Sequence, residues 1–328
     1  MYRKKLEPTN DLLQFAVFVP FFPQLVAGPI ERARRFLPQV AQPRTITPAA
    51  WESGLVLVTW GLFKKMVLAD NAAALADPVF DNPAAHAGLD LWLGALAFTL
   101  QIYGDFSGYT DIARGLAKWL GFELMVNFRL PYFARGPSDF WRRWHISLST
   151  WLRDYLYISL GGNRGTSWHT YRNLMLTMLL GGLWHGARWN FVLWGAYHGL
   201  VLVLARMLRP LTARLPQRPS VALMQWAGMF GITVGGWILF RVVSLARLQE
   251  FLAGLSLAPS PGSAELAFRL ALLWAPLWGV QLAQHFSGDL MVMRRGGPAT
   301  TVLFVTGCVV GALVFGAHEP VEFIYFQF

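Results

Sequence analysis

Apolar residues in this chain collect in long stretches separated by short charged or glycine- and proline-rich segments, and the length of each stretch predicts its element. Residues 221–240, 270–288 and 299–317 are uncharged runs of spanning length, and 189–205 is a further membrane segment. Residues 173–187 are expected to form another, broken at Gly181 and Gly182. Near the start, 12–30 is uncharged but holds Pro20, Pro23, Gly28 and Pro29, which remove donors and disfavour a straight helix. A broken or re-entrant segment is expected there. The run 53–63 ends at Lys64 and Lys65 and is too short to span, so it predicts a tilted or interfacial helix whose lysines snorkel outward. Residues 70–90 read as a loop. A mostly apolar helix from 91 to 103 continues into GDFSGYTDIARGLAKWLGF.

The stretch 127–140 contains two prolines and reads as a loop, with Ser138 and Asp139 placed to cap a helix beginning near Phe140. In that helix Arg142, His145, Ser149 and Arg153 recur at three- and four-residue spacing and share one face, while Phe140, Trp144, Leu148, Trp151 and Tyr155 form an aromatic and apolar face. Such a helix can line a polar cavity but, with Arg142, Arg143, Arg153 and Asp154, cannot cross lipid alone.

Composition places these helices in a bilayer. Of 328 residues 55% are hydrophobic and 14% charged, against about 25% charged in soluble domains. The fold class is therefore an all-α, polytopic membrane protein, and with no linker or fixed-period repeat the chain reads as one domain over 1–328. The net charge of +10 reads as loops facing anionic lipid; basic and aromatic residues interrupt apolar runs instead of lining a polar groove, so no nucleic-acid partner is expected. Loop charges set the orientation. RMLRPLTARLPQR carries four arginines and no acid and is expected inside, which alternates the later loops and puts the turn after His185 toward the outside and GGNRGTSWHTYR inside.

The candidate chemistry lies between Phe140 and Gly186, where His145 and His185 stand forty positions apart. A neutral imidazole can accept a proton from a hydroxyl. It can equally serve as a hydrogen-bonding group between helices. His198 follows in a separate span. No HExxH or CxxC pattern occurs and Cys308 is the single cysteine, so no metal site is expected. GxSxG is absent, and GGNRG does not match a phosphate-binding P-loop. Asp105 and Asp111 are costly in a membrane protein, and either pair with a cation such as Arg114 or take part in chemistry. From the residues alone, a polar internal site built on two histidines fits a transporter or channel as well as an enzyme.

FFPQLVAGPIERARRF, IYGDFSGYTDIARGLAKWLGF, FWRRWHISLSTWLRDYLYISLGGNR, RNLMLTMLLGGLWHGARWNFVLWGAYHGL and the terminal FIYFQF, in this order along the chain, resemble the membrane-bound O-acyltransferase (MBOAT) family, nearest its alginate O-acetylation branch. The resemblance implies a helical core with tilted, broken and re-entrant helices, set in the bacterial inner membrane. It implies movement of an acyl group from a cytosolic thioester, acetyl-CoA or a similar donor, with no bound cofactor, toward periplasmic acetyltransferase partners of a glycan-modification complex. Peptidoglycan or teichoic acid are the alternative acceptors. On the motif positions it places His185 (WHG) as general base or acyl-handling group and His145 (RRWHISLS) as its assistant. Asp105, Asp111, Arg153, Asp154 and Asn163 fall at supporting positions, with Trp144, Trp184 and Asn190 along the substrate tunnel. Gly104 departs from the family's aromatic and is expected to loosen its helix. MYRKKLEPTND resembles an internal family stretch, so the chain is expected to lack the N-terminal transmembrane helices.

Overall fold

The computed structural model describes residues 11–317, 319 and 321–324. They form α1 (Leu12–Phe18), α2 (Ala33–Ala41), α3 (Pro48–Phe63), α4 (Asp70–Asp81), α5 (Leu89–Trp119), α6 (Pro137–Trp141), α7 (Ile146–Trp151), α8 (Ser167–His185), α9 (Trp189–Met207), α10 (Arg209–Thr212), α11 (Pro219–Arg241), α12 (Leu245–Gly254), α13 (Ser263–Ser287) and α14 (Pro298–Phe315). No strand occurs among the described residues, so the all-α class holds. Among the described residues four helices, α9, α11, α13 and α14, are long and apolar enough to cross a membrane; α8, which begins with SWHTYRN, is not one of them.

The molecule is organised on α5, of whose 31 residues 21 are buried, so that protein rather than lipid surrounds most of it. Against it lies one long helical path: α3, capped by Thr47, passes through a π-helical turn (Lys64–Ala69) directly into α4. Residues 70–81 are thus helix, not the loop that their Asp, Asn and Pro suggested. Ala72, Ala73 and Ala76 are buried, and the polar groups that favour turns are engaged elsewhere. Asp70 pairs with Lys65 at 2.7 Å and Asn71 donates to the Phe315 carbonyl at 2.9 Å.

Lys64 and Lys65 also turn inward rather than snorkelling. Lys64 is 2% exposed and meets Asp111 at 2.7 Å and Ser107 at 3.0 Å; Lys65 lies 3.0 Å from Asp105. Removing one partner of such a buried pair costs about 3–5 kcal/mol. Gly104 is where the two paths come close, since a Cβ there would stand 3.2 Å from the Lys64 carbonyl. The glycine tightens the α5 contact; it does not loosen the helix.

The C-terminal segment is fastened to the same junction. Ala317 N donates to Met66 O (3.0 Å), Lys65 Nζ to Val321 O (2.9 Å) and Ile324 N to Asp105 (2.7 Å). The rest of FIYFQF, residues 325–328, and residues 1–10 of MYRKKLEPTND lie outside the described residues. The irregularity expected over 12–30 is present as the seven-residue α1 followed by a 3₁₀ turn at Phe22–Gln24.

Candidate active site

The segment that the periodicity read as one helix from Phe140 is three pieces. α6 starts at Pro137 behind Gly136, with no side-chain cap from Ser138 or Asp139. The helix ends at Trp141, and the turn that follows brings the chain to His145, whose φ 41° and ψ 55° are left-handed. α7 follows, and its end widens into a second π-helical turn, Leu152–Tyr157. A non-glycine residue in that left-handed conformation costs about 1–2 kcal/mol, so something must hold it.

The hold comes from the extended stretch before Pro131. Arg129 N donates to the Arg143 carbonyl (2.9 Å) and Ile146 N to the Asn127 carbonyl (2.9 Å), which ties the turn down on both sides of His145. The Asn127 side chain completes it. Its Oδ1 receives Ser147 N (3.2 Å) and Ser147 Oγ (2.9 Å) and lies 3.2 Å from His145 Nδ1. Asn127, His145 and Ser147 are all buried, and the Phe106 ring from α5 meets the imidazole edge-on at 4.7 Å. Asn127 was not singled out by sequence; a lone Asn between Val126 and Phe128 was the available signal.

His185 is the last residue of α8, which runs unbroken through Gly181 and Gly182. Those glycines serve packing, not a break: a Cβ on Gly182 would lie 2.2 Å from the Phe191 carbonyl of α9. Around the imidazole stand Trp184, Trp194 and Phe240, each with its ring centre 5.2 Å away and near-perpendicular, and Phe191 at 6.2 Å.

Both histidines line a single cavity of about 680 Å³. Leu148, Leu174, Met178 and Trp194 give it apolar walls, and Arg35, Arg129, Arg142 and Arg153 contribute positive charge. Trp144 and Arg153 therefore belong to the cavity wall. Asp154 stands just behind it, 2.9 Å from Arg32 and 2.7 Å from Arg153, with the Arg32 guanidinium also over the Tyr155 ring at 5.0 Å. Burial works against the Asp154 charge, but the hydrogen bond and charge of Arg153, with Arg32 adding to them, hold its carboxyl below the ordinary 3.8. Glu31 is the opposite case. There burial outweighs the hydrogen bond from Met125 N and the charge of Arg35, and the carboxyl is pushed up from 4.5.

The remaining predicted residues lie off the cavity. Asp105 and Asp111 belong to the α3–α5 charge network. Asn163 is exposed and accepts from the Tyr157 hydroxyl. Trp184 is 53% exposed and touches His185 from outside. Asn190 is buried and donates to the Phe240 carbonyl at 3.0 Å, fastening the start of α9 to the end of α11. His198 is buried too, edge-on to Trp194 at 4.9 Å. Among the described residues no three His, Cys, Asp or Glu side chains are grouped to hold a metal.

A paired-histidine cavity inside a helical membrane protein does not specify a family by itself. The sequence does: residues 4–245 match the model of the MBOAT, membrane-bound O-acyltransferase family. The chain belongs to the MBOAT family. Three MBOAT relatives show its neighbourhood. The "Probable alginate O-acetylase AlgI" of Azotobacter vinelandii is 50% identical over 245 residues, covering 75% of this chain and 48% of the relative. The protein of the same description from Pseudomonas aeruginosa is 49% identical over 247 residues, covering 75% and 46%. The "Peptidoglycan O-acetyltransferase" of Helicobacter pylori is 40% identical over 249 residues, covering 75% and 47%. The chain spans about half the length of the curated relatives it matches. The MBOAT match ends at 245 and so contains the whole cavity, both π-helical turns and helices α1 to α11.

Proposed function

We propose that this chain carries the acyl-transfer site of an inner-membrane O-acetyltransferase that takes acetyl from acetyl-CoA or another cytosolic thioester and hands it toward periplasmic acetyltransferase partners for O-acetylation of an exopolysaccharide such as alginate. The observation that carries this reading is the shared cavity, which sets two imidazoles against apolar walls with four arginines in the lining. Arginine suits a phosphate-bearing thioester carrier, and apolar walls keep water from competing with the acceptor for the acyl group. His185 acts as general base. It takes the proton of the acceptor hydroxyl as that oxygen forms its bond to the thioester carbonyl, and the departing thiolate recovers a proton. His145 assists by binding the acyl group, and Trp144 shapes the wall between them. Arg153 and Asp154 steady the lining, Asp105 and Asp111 fix α5 to the π-helical turn after α3, Asn163 holds Tyr157 at the end of the second π-helical turn, and Trp184 and Asn190 brace the end of α8 and the start of α9.

Peptidoglycan is the second acceptor supported, by the Helicobacter pylori relative at 40% identity. The test is a strain that depends on this chain, supplied with acetyl-labelled donor. His185→Ala is expected to lower covalent acetyl on glycan by about 10²–10⁴-fold with the protein still present in the membrane. Unchanged labelling would overturn the assignment, and label crossing the membrane without joining glycan would point to a transporter instead.

A further inference from the structure

The Asn127 side chain does more than tie down a turn. A backbone N–H can only donate, so the Asn127 atom 3.2 Å from Ser147 N must be the amide oxygen and not the nitrogen. That same oxygen also receives the Ser147 hydroxyl at 2.9 Å. It then stands 3.2 Å from His145 Nδ1. An unprotonated Nδ1 would direct its lone pair at the oxygen's own lone pairs, which is repulsive; a protonated Nδ1 makes a third hydrogen bond to it. Ser147 Oγ does not offer a better arrangement, because it is 3.4 Å from Nδ1 and has its closer acceptor in Asn127.

We propose that Asn127 is a positioning residue that fixes His145 as the Nδ1–H tautomer, with Nε2 as the ring's basic nitrogen, and that the left-handed turn at His145 exists to bring the ring to Asn127. Deprotonated Nε2 can then accept a proton or a hydrogen bond from whatever occupies the cavity, while Nδ1 stays committed to the protein. The proposal deepens the acyl-transfer reading and rests on it for the use to which Nε2 is put, but the tautomer itself does not depend on that reading.

The test is ¹⁵N NMR of the full chain labelled at histidine in lipid bilayers, with the His145 signals assigned by their loss in His145→Gln. The neutral wild-type ring is expected to show a protonated Nδ1 and a bare Nε2; a bare Nδ1 overturns the proposal. Asn127→Leu removes the acceptor at similar size and is expected to shift the ring toward the Nε2–H form and to lower kcat at least tenfold with KM within twofold. An unchanged tautomer in that variant also overturns it. Asn127→Asp keeps the acceptor and adds charge, so it covers the case in which the leucine variant fails to fold. A carboxylate beside Nδ1 favours the imidazolium, so the acid limb of the transfer profile is expected to move to higher pH; an unmoved limb would show that His145 is not held against residue 127 in the working protein and overturns the proposal. If His145→Gln itself transfers acetyl normally, the functional reading fails while the wild-type tautomer still stands or falls on its own spectrum.

Discussion

In the cavity His145 is fixed by directional bonds, on a strained turn tied through Asn127 and Ser147, whereas His185 ends a helix and is enclosed by the edges and faces of Trp184, Trp194, Phe191 and Phe240. The first arrangement sets which atom points where. The second sets volume and orientation through ring packing, where each aromatic pair contributes about 0.5–1.5 kcal/mol beyond its buried area. A group that must present one particular nitrogen benefits from the former, and a group that works against a bulky, changing occupant benefits from the latter.

The comparison is broken most readily at Trp194. This ring touches His185, Trp141, His198 and Phe240 at once, so Trp194→Ala is expected to cost about 3–5 kcal/mol, read as a lowered melting temperature in detergent, and to abolish transfer. A variant as stable as wild type would mean that ring packing does not hold His185. Ser147→Ala is the matched change beside His145. It removes one buried hydroxyl bonded to Asn127 and is expected to cost about 1 kcal/mol while leaving the Trp fluorescence of the His185 surroundings unaltered; a loss as large as that of Trp194→Ala would erase the distinction between the two histidines.

The smallest effect is expected behind the wall, at Asp154→Asn, at about 0.5–1 kcal/mol for a partly exposed ion pair. Its pH dependence has a definite sign. The Asp154 carboxyl is held below 3.8 in the folded chain, so its contribution is fully present above that value and is lost as pH falls through the lower, folded one. The difference in melting temperature between wild type and Asp154→Asn should therefore stay flat from about pH 8 to 5 and close only below about 3.8; a difference that varied near neutrality would show that the Arg32–Asp154–Arg153 link is not what the variant removes.

How far the sequence discloses this arrangement depends on the range of the interactions involved. α9, α11 and α14 arise from local apolar runs and were legible to within two residues, as was the irregular course of 12–30; α13 was legible except for its first seven residues, 263–269, where Glu265 and Arg269 break the apolar run. His145 was legible as a polar residue near the site but not in its conformation, because FWRRWHISLSTW has sound helical spacing and the groups that stop the helix, Asn127 and Arg129, come from a different segment. Lys64 was misread for the same reason: its partner Asp111 lies 47 positions later, and nothing near Lys64 announces it. Residues 70–81 failed in the other direction, where local turn formers gave way to helix–helix burial of alanines. The cavity is legible only in part, since His145 and His185 can be picked out singly but their meeting across α7, α8 and α9 is a tertiary fact.

The two π-helical turns, Lys64–Ala69 and Leu152–Tyr157, carry a consequence for how this chain can change by descent. Each holds one residue more than an ordinary helical turn would, and that residue sets which side chains the widened turn presents. Losing a single codon in either would close the turn to an α-helix and take side chains of the turn off the face they now occupy. In the first, the two lysines and their carboxylates would part; in the second, Arg153 and Tyr157 would leave the cavity wall. A loop such as 213–218 can gain or lose residues without such a penalty. Over these twelve positions, length is inherited under the same constraint as residue identity.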